Sequence, residues 1–306
     1  MLVPAIDLGG TYIKGALVSP AGAVSFPRTV PTRPGDGHQA LAERLIELGR
    51  LLVNQAALVN RSAPQVIGVA VPGLVDTERG VVRQAANLGW ADYPVGQILT
   101  EAIGCPVAIG HDVTQAALAE HRFGAAAGAE LAIVAPIGTG IAACVIYQGQ
   151  AIRGAHGGIV ELGHLPLAGW DLPCGCGGQG CVERVGSASA IARRYAALSQ
   201  TAGRTGQLDF SAEQVAQMAE QGDELARKVW QDAIDAIAAG LTTLITVFDP
   251  ERIVIGGGLS QSGEQLLGPL RRELADRLTF QVMPQVVATT LGPQAGVIGA
   301  AMVAGL

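Results

Sequence analysis

The feature that most constrains this chain is a pattern that occurs twice. Residues 2–7 (LVPAID) read as a buried strand, Gly9 and Gly10 as a turn, 12–18 as a second strand, and Pro20-Ala21-Gly22 as a further turn. About 130 residues later the order returns. Residues 131–137 read as a strand, Gly138-Thr139-Gly140 as a turn, 141–147 as a strand, and Gln148-Gly149 as a turn. Helical spacing of Leu41, Leu45, Leu48, Leu52 and Ala56 predicts an amphipathic helix over 38–59. Further helices are expected at about 114–123, 187–199, 211–220, 223–247, 261–278 and 295–305, with short strands at 65–71, 107–109 and 252–255. The expectation is a duplicated α/β architecture.

At 306 residues the chain has room for about two domains. No linker separates them, so the boundary near residue 113 must be tight. Residues 1–113 with 293–306 are expected to form a small lobe, and 114–292 a large one. Apolar residues at 49% against 15% charged exclude a disordered chain. A net charge of −6, the lack of any basic block and an aromatic content of 4% argue against a nucleic-acid partner. The opening residues lack the basic start and apolar run of a signal peptide. The most apolar stretch, 233–248, is too short to span a bilayer. A cytoplasmic protein without a membrane partner is expected.

Three glycine turns suggest phosphate handling. Gly9, Gly10 and Thr11 sit between two strands, where backbone amides and the Thr11 hydroxyl can approach phosphate oxygens. Asp7, ending the first strand, could hold Mg²⁺ through its water shell. An ordinary hairpin with a type I′ or II′ turn explains the same residues. The repeat of the turn at Gly138, Thr139 and Gly140 strengthens the first reading. Gly256, Gly257 and Gly258 follow an apolar strand and could let a base or ribose lie near the backbone, or could simply pack a helix on a strand.

His164, Cys174, Cys176 and Cys181 form H-x9-C-x-C-x4-C with glycines between the thiols. Four N/S ligands on a tightly folding loop are the donor set of a structural zinc site. Cys105 and Cys144 lie in apolar segments and read as core thiols. Glu161 and Glu183 flank the knot and could accept hydrogen bonds from a hydroxyl-rich ligand, or be surface charges. Asp112 follows the strand at 107–109 and opens a helix. It is a candidate general base or, alternatively, the N-cap of that helix, and His111 beside it could donate to a sugar hydroxyl.

Read in order, DLGGTYIK, GVAVPGLVD, IGTG, ELGH, CGCGGQGCVE and VIGGGLS resemble the ROK family of repressors, sugar kinases and open reading frames. The resemblance runs from about residue 5 to residue 303. It implies a two-lobed actin/hexokinase-like ATPase fold, ribonuclease H-like and duplicated, with an interlobe cleft. It implies ATP held by Asp7, Gly9, Gly10, Thr11, Lys14, Gly138, Thr139 and Gly140, with Gly256, Gly257 and Gly258 bordering the adenosine. Asp112 would be the catalytic base. Gly73, Asn87, His111, Glu161, His164 and Glu183 would line the sugar site, His164 using one ring nitrogen for zinc and the other for a hydroxyl. The implied activity is Mg²⁺- and ATP-dependent phosphorylation of the 6-hydroxyl of a hexose, glucose first. Kinases of N-acetylglucosamine or N-acetylmannosamine and a non-catalytic sugar sensor are the alternatives, and polyphosphate stays open as a donor. The family's repressors carry an N-terminal DNA-binding domain, for which no room is expected ahead of Asp7. A homodimer is expected, built on the apolar helix at 233–247.

The chain departs from the family pattern where Asn-Asp-x-Asn is usual and His111-Asp112-Val113-Thr114 stands instead. Val160 replaces a common glycine, and Gly158 stands where a basic residue is common.

Overall fold

In a computed structural model the chain is described at residues 1–155, 160–204 and 209–306, so Gly158 lies outside the described residues. It divides into two compact units. The first comprises Met1–Ala127, Gly149–Gly158 and Leu291–Leu306, and the second Gly128–Gln148 and Ile159–Thr290.

The sheet of the first unit uses β1 (Val3–Leu8), β2 (Tyr12–Val18), β3 (Val24–Pro31), β4 (Ile67–Val71) and β8 (Val107–His111). Its order is β3-β2-β1-β4-β8, with β1/β2 antiparallel and β1/β4 and β4/β8 parallel. Helix α1 (His38–Asn60) lies on it through the leucine stripe, and Leu41, Leu45, Leu48, Leu52 and Ala56 are all buried. Each such leucine removes apolar surface worth roughly 1.5–3 kcal/mol. Helices α3 (Asp112–Phe123) and α9 (Ala295–Val303) pack on each other and α9 on β1 and β4. A small sheet of β5 (Leu74–Asp76), β6 (Val81–Ala85) and β7 (Trp90–Tyr93), followed by α2 (Val95–Ile103), completes the unit.

The second unit repeats the plan. Strands β9 (Leu131–Pro136) and β10 (Cys144–Tyr147) form an antiparallel hairpin. β12 (Arg252–Gly256) and β13 (Gln285–Ala288) then continue in parallel, giving β10-β9-β12-β13. The two-residue β11 (Gln150–Ala151) begins the short return of the chain to the first unit. Helix α7 (Glu224–Phe248) forms the spine of the second core, packed by α4 (Val182–Gly186), α5 (Ala188–Thr201), α6 (Ala212–Glu220) and α8 (Glu264–Arg277). Cys105 and Cys144 are buried, as expected of core thiols.

Four expectations change. The boundary near 113 moves, because α3 packs on α9 and so residues 114–127 stay with the first unit, as does the returning segment 149–158. The strand expected from 141 begins only at Cys144, Ile141 pairing in a single bridge with Ile137. Helix α8 starts at Glu264, after a 3-10 turn at Gly258–Ser262. Finally, α7 has 25 residues and is long and apolar enough to cross a membrane by length and composition. Yet Trp230, Ile234, Ile237 and Leu241 put one of its faces in the core.

Candidate active site

The β1–β2 turn is held from below. Gly9 N–H donates to Tyr12 O at 3.0 Å, Thr32 N–H donates to Thr11 O at 2.9 Å, and the Thr32 hydroxyl donates to Gly9 O at 2.7 Å. Neither Gly9 nor Gly10 has positive φ, so the turn is not the type I′ or II′ that would explain the glycines as hairpin chemistry. A side chain at Gly9 would instead press within 2.9 Å of Tyr12 O, and one at Gly10 would meet the Asn87 amide at 3.6 Å. Asn87 therefore stands over the turn, and it is exposed. Gly73, at the β4–β5 junction, has φ +99° and a Cβ there would collide with Gln84 O.

Asp7 lies opposite Lys14 across the β1–β2 ladder. Burial first, then the charge of Asp112, pushes its carboxyl up to about 7, and Lys14 opposes the shift. Lys14 Nζ itself reaches Pro293 O at 3.4 Å. Two carboxyls with one cation beside them form an under-compensated anionic pair, the setting a divalent cation relieves.

Asp112 is the first residue of α3, and the N-cap is His111. This corrects the reading of Asp112 as a cap. His111 Nδ1 lies 3.3 Å from both Thr114 N and Thr114 Oγ1, so the two positions that depart from the Asn-Asp-x-Asn pattern touch each other. The carboxyl of Asp112 takes the Val113 N–H on Oδ1 at 2.7 Å, and His111 Nε2 stands 3.4 Å from the same oxygen. Protein surrounds the carboxyl on most sides while 27% of the side chain stays open to solvent. Desolvation pushes it up to about 6 against the pull of the Val113 N–H and its own N–H. A carboxyl near 6 is ionised at neutral pH and still basic enough to take a proton.

In the second unit, parallel pairing of β9 with β12 sets two glycine turns side by side, Gly256 against Pro136. Ile137 N–H donates to Gly256 O at 2.9 Å and Leu259 N–H to Ile137 O at 3.0 Å. Gly257, at φ +74°, passes so close to Ile137 O that only glycine fits. The turn Gly138–Gly140 is closed by Gly138 N–H to Gly140 O at 2.9 Å. It is tied to α5 by the Ser189 hydroxyl, which donates to Thr139 O at 2.5 Å. Glu183 on α4 accepts the Ile141 N–H at 2.9 Å and lies against Gly140, where a Cβ would strike its Oε2. Its hydrogen-bond partner is thus the residue that follows the Gly138–Gly140 turn. A cavity of about 550 Å³ opens beside Gly258, lined by polar groups that include Ser211, Glu213, Gln217, Gln261 and Ser262.

The ligand atoms of His164, Cys174, Cys176 and Cys181 all lie within 4.8 Å of one another. Cys176 Sγ and Cys181 Sγ are 3.7 Å apart, and Cys174 Sγ is 3.6 Å from His164 Nδ1. A tetrahedral zinc with Zn–S of about 2.3 Å and Zn–N of about 2.05 Å requires edges of about 3.8 and 3.6 Å. Burial and the neighbouring sulfurs push Cys181 up to about 12, while the Gly178 N–H lowers Cys176. Three crowded thiols ionise together only around a cation. The donor set therefore fits a metal, with Nδ1 as the histidine ligand. Glu161, exposed, precedes the 3-10 turn Leu162–His164 and its carbonyl takes the His164 N–H at 3.0 Å. Val160 packs on the second core, which is why an apolar side chain is accommodated there.

The model of the ROK family matches residues 3–305. The chain belongs to the ROK family. A glucokinase of Thermotoga maritima is 34% identical over 310 residues, covering 97% of this chain and 95% of the relative. Among solved structures, a ROK family glucokinase from Streptomyces griseus in complex with glucose and AMPPNP superposes with a TM-score of 0.85 at 28% identity, covering 99% of both chains. A ROK hexokinase from Thermus thermophilus gives 0.78 at 33% identity, over 99% of this chain and 97% of the other. The two-lobed actin/hexokinase-like fold expected from the resemblance is thereby the fold of this ROK chain.

Three residues that touch these turns and the Asp7 carboxyl carry no motif of their own. Thr32, fully buried, buttons the first turn through its hydroxyl. Ser189 ties down the second turn. Gly296, in the first turn of α9, lies against the Asp7 carboxyl. Only the glycine was open to notice, and nothing in its neighbourhood of the sequence names its partner.

Proposed function

We propose that this ROK chain is an ATP-dependent sugar kinase that transfers the γ-phosphoryl group to the 6-hydroxyl of a hexose, glucose before the N-acetylated hexosamines. The observation that carries the proposal is the Asp112 carboxyl at the start of α3. It is fixed by the Val113 N–H, largely desolvated and raised to about 6, beside a second carboxyl at Asp7. The similarity to glucokinases supports it over the whole chain.

In this reading Asp112 takes the proton of the 6-hydroxyl as its oxygen attacks the γ-phosphorus. The bond to the β–γ bridging oxygen breaks, and ADP leaves with that electron pair. Backbone amides of Gly9, Gly10 and Thr11 and of Gly138, Thr139 and Gly140 hold phosphate oxygens, with Lys14 as a fixed cation. Gly256, Gly257 and Gly258 border the adenosine, beside the cavity described above. Gly73, Asn87, His111, Glu161, His164 and Glu183 hold the sugar, His164 by Nε2. Asp7 would hold Mg²⁺ through water, and that ion, when bound, neutralises charge spreading over the transferred group. Zinc would sit on His164, Cys174, Cys176 and Cys181, and it braces the loop that carries these groups.

A cytoplasmic setting, no nucleic-acid or membrane partner, and a homodimer belong to the same proposal. Phe280 and Val282, 83% and 75% exposed, offer apolar surface for a second copy to cover. Sedimentation as a monomer at micromolar concentration would remove the dimer from the proposal.

The test is ADP release over a panel of glucose, mannose, N-acetylglucosamine and N-acetylmannosamine with Mg·ATP, the product located by phosphorus–carbon coupling in NMR. Glucose turnover with phosphate on the 6-oxygen is expected. A hexosamine as the best acceptor changes the substrate, and binding of sugar without ATP consumption replaces the kinase by a sensor.

A further inference from the structure

We infer that His111 is a positioning residue for the Asp112 carboxylate, an inference that rests on the kinase reading of this site. The imidazole is held at both ends. At one end Nδ1 caps α3, 3.3 Å from the Thr114 N–H and 3.3 Å from the Thr114 hydroxyl. A backbone N–H can only donate, so Nδ1 is the nitrogen with the lone pair and the ring proton sits on Nε2. At the other end Nε2 stands 3.4 Å from Asp112 Oδ1. That separation is long for a hydrogen bond, as contacts around a reacting carboxylate often are before substrate arrives.

The helix cap thus selects the tautomer, and the tautomer turns an N–H toward the carboxylate. The Val113 N–H reaches the same oxygen at 2.7 Å. With two donors on Oδ1, rotation of the carboxyl about its own axis is restrained and Oδ2 is the oxygen assigned to take the proton of the acceptor hydroxyl. His111 acts through Asp112 and not on the sugar alone.

Two variants separate the cap from the contact. In His111→Asn the amide oxygen falls near the place of Nδ1 and can still accept the Thr114 N–H, while no donor at position 111 reaches Asp112. In His111→Gln the amide nitrogen falls near the place of Nε2 and can donate to Asp112, while the cap is given up. His111→Asn is expected to melt near the wild type and, because His111 also holds the sugar, to raise KM for the sugar alongside its effect on kcat. Its kcat should fall by about ten- to a hundredfold, the cost of a misplaced reacting group. His111→Gln is expected to recover most of that kcat. An unchanged kcat in His111→Asn overturns the inference, as does a raised KM with kcat held, or a His111→Gln enzyme no better than His111→Asn. Nitrogen NMR of the wild-type chain without substrates supplies a readout that needs no activity. At neutral pH Nε2 should carry the proton and Nδ1 none, and the opposite tautomer overturns the contact. If the wild type phosphorylates no sugar on the panel, the kinase reading fails while this tautomer measurement still decides the His111–Asp112 contact.

Discussion

Gly296 lies so close to Asp7 that a methyl group on its Cα would collide with Oδ2. The first turn of α9 and the end of strand β1 therefore meet at a carboxyl, and the meeting requires a residue without a side chain. The contact places Asp7 near the positive end of a helix, a position that favours an anion. Burial and Asp112 nevertheless hold its proton affinity high.

Gly296→Ala should push the Asp7 carboxyl out of place. Overpacking of this kind costs about 1–3 kcal/mol of stability. The variant is expected to melt lower and to need more Mg²⁺ for half-maximal ADP release. A variant with unaltered melting and Mg²⁺ dependence would mean that the contact is slack.

The raised carboxyls make a stability prediction with a definite sign. Asp7 ionises near 3.8 in the unfolded chain and about 7 in the folded one, so the folded state binds the extra proton between those values. Stability then falls as pH rises from about 4 to about 7 and levels off above. Asp112, raised to about 6, acts in the same direction over a narrower window. Asp7→Asn should accordingly be more stable than the wild type at pH 8, by at least about 1 kcal/mol, and close to it at pH 4. Denaturant melts at the two values measure the difference. A variant less stable at pH 8 would contradict the shift.

Glu183 offers a way to separate two roles. The resemblance makes it a sugar ligand, whereas in the structure its carboxylate accepts the Ile141 N–H beside the Gly138–Gly140 turn. Removing an acceptor from a buried N–H costs about 1–3 kcal/mol. Glu183→Ala is therefore expected to raise KM for ATP as well as for sugar, and Glu183→Gln, which keeps an acceptor oxygen, to spare the ATP value. If Glu183→Ala changes the sugar value alone, the turn does not depend on it.

Metal removal should act on stability before it acts on chemistry. Elemental analysis is expected to give one zinc per chain, and a strong chelator or Cys176→Ser to lower the melting temperature. Sulfur and nitrogen separations of 3.7 and 3.6 Å match tetrahedral zinc. Purified protein free of zinc and as stable as the loaded form would make the knot a set of ordinary thiols.

Local patterns made much of this legible in the sequence. The repeated strand–turn–strand, the leucine stripe of α1 and the His164–Cys181 spacing are each read from one continuous stretch of chain, and each appears in the structure. The short strands of the β5–β7 sheet and helix α2 carry too few alternating or periodic residues to announce themselves. His111 was recognisable as a neighbour of Asp112, but its cap on Thr114 depends on a ring orientation that no sequence displays. Thr32 and Gly296 reach their partners through tertiary packing, Gly296 across nearly the whole chain.

The most direct test compares wild type and Asp112→Asn in ADP release with the best acceptor sugar, across pH 5 to pH 8. The wild-type rate should fall as pH drops through about 6, where the carboxylate takes up its proton. Asp112→Asn should lose about 10²- to 10⁴-fold in kcat, the range of general-base catalysis, with both KM values near those of the wild type. Turnover by Asp112→Asn equal to that of the wild type would contradict the assignment of the base.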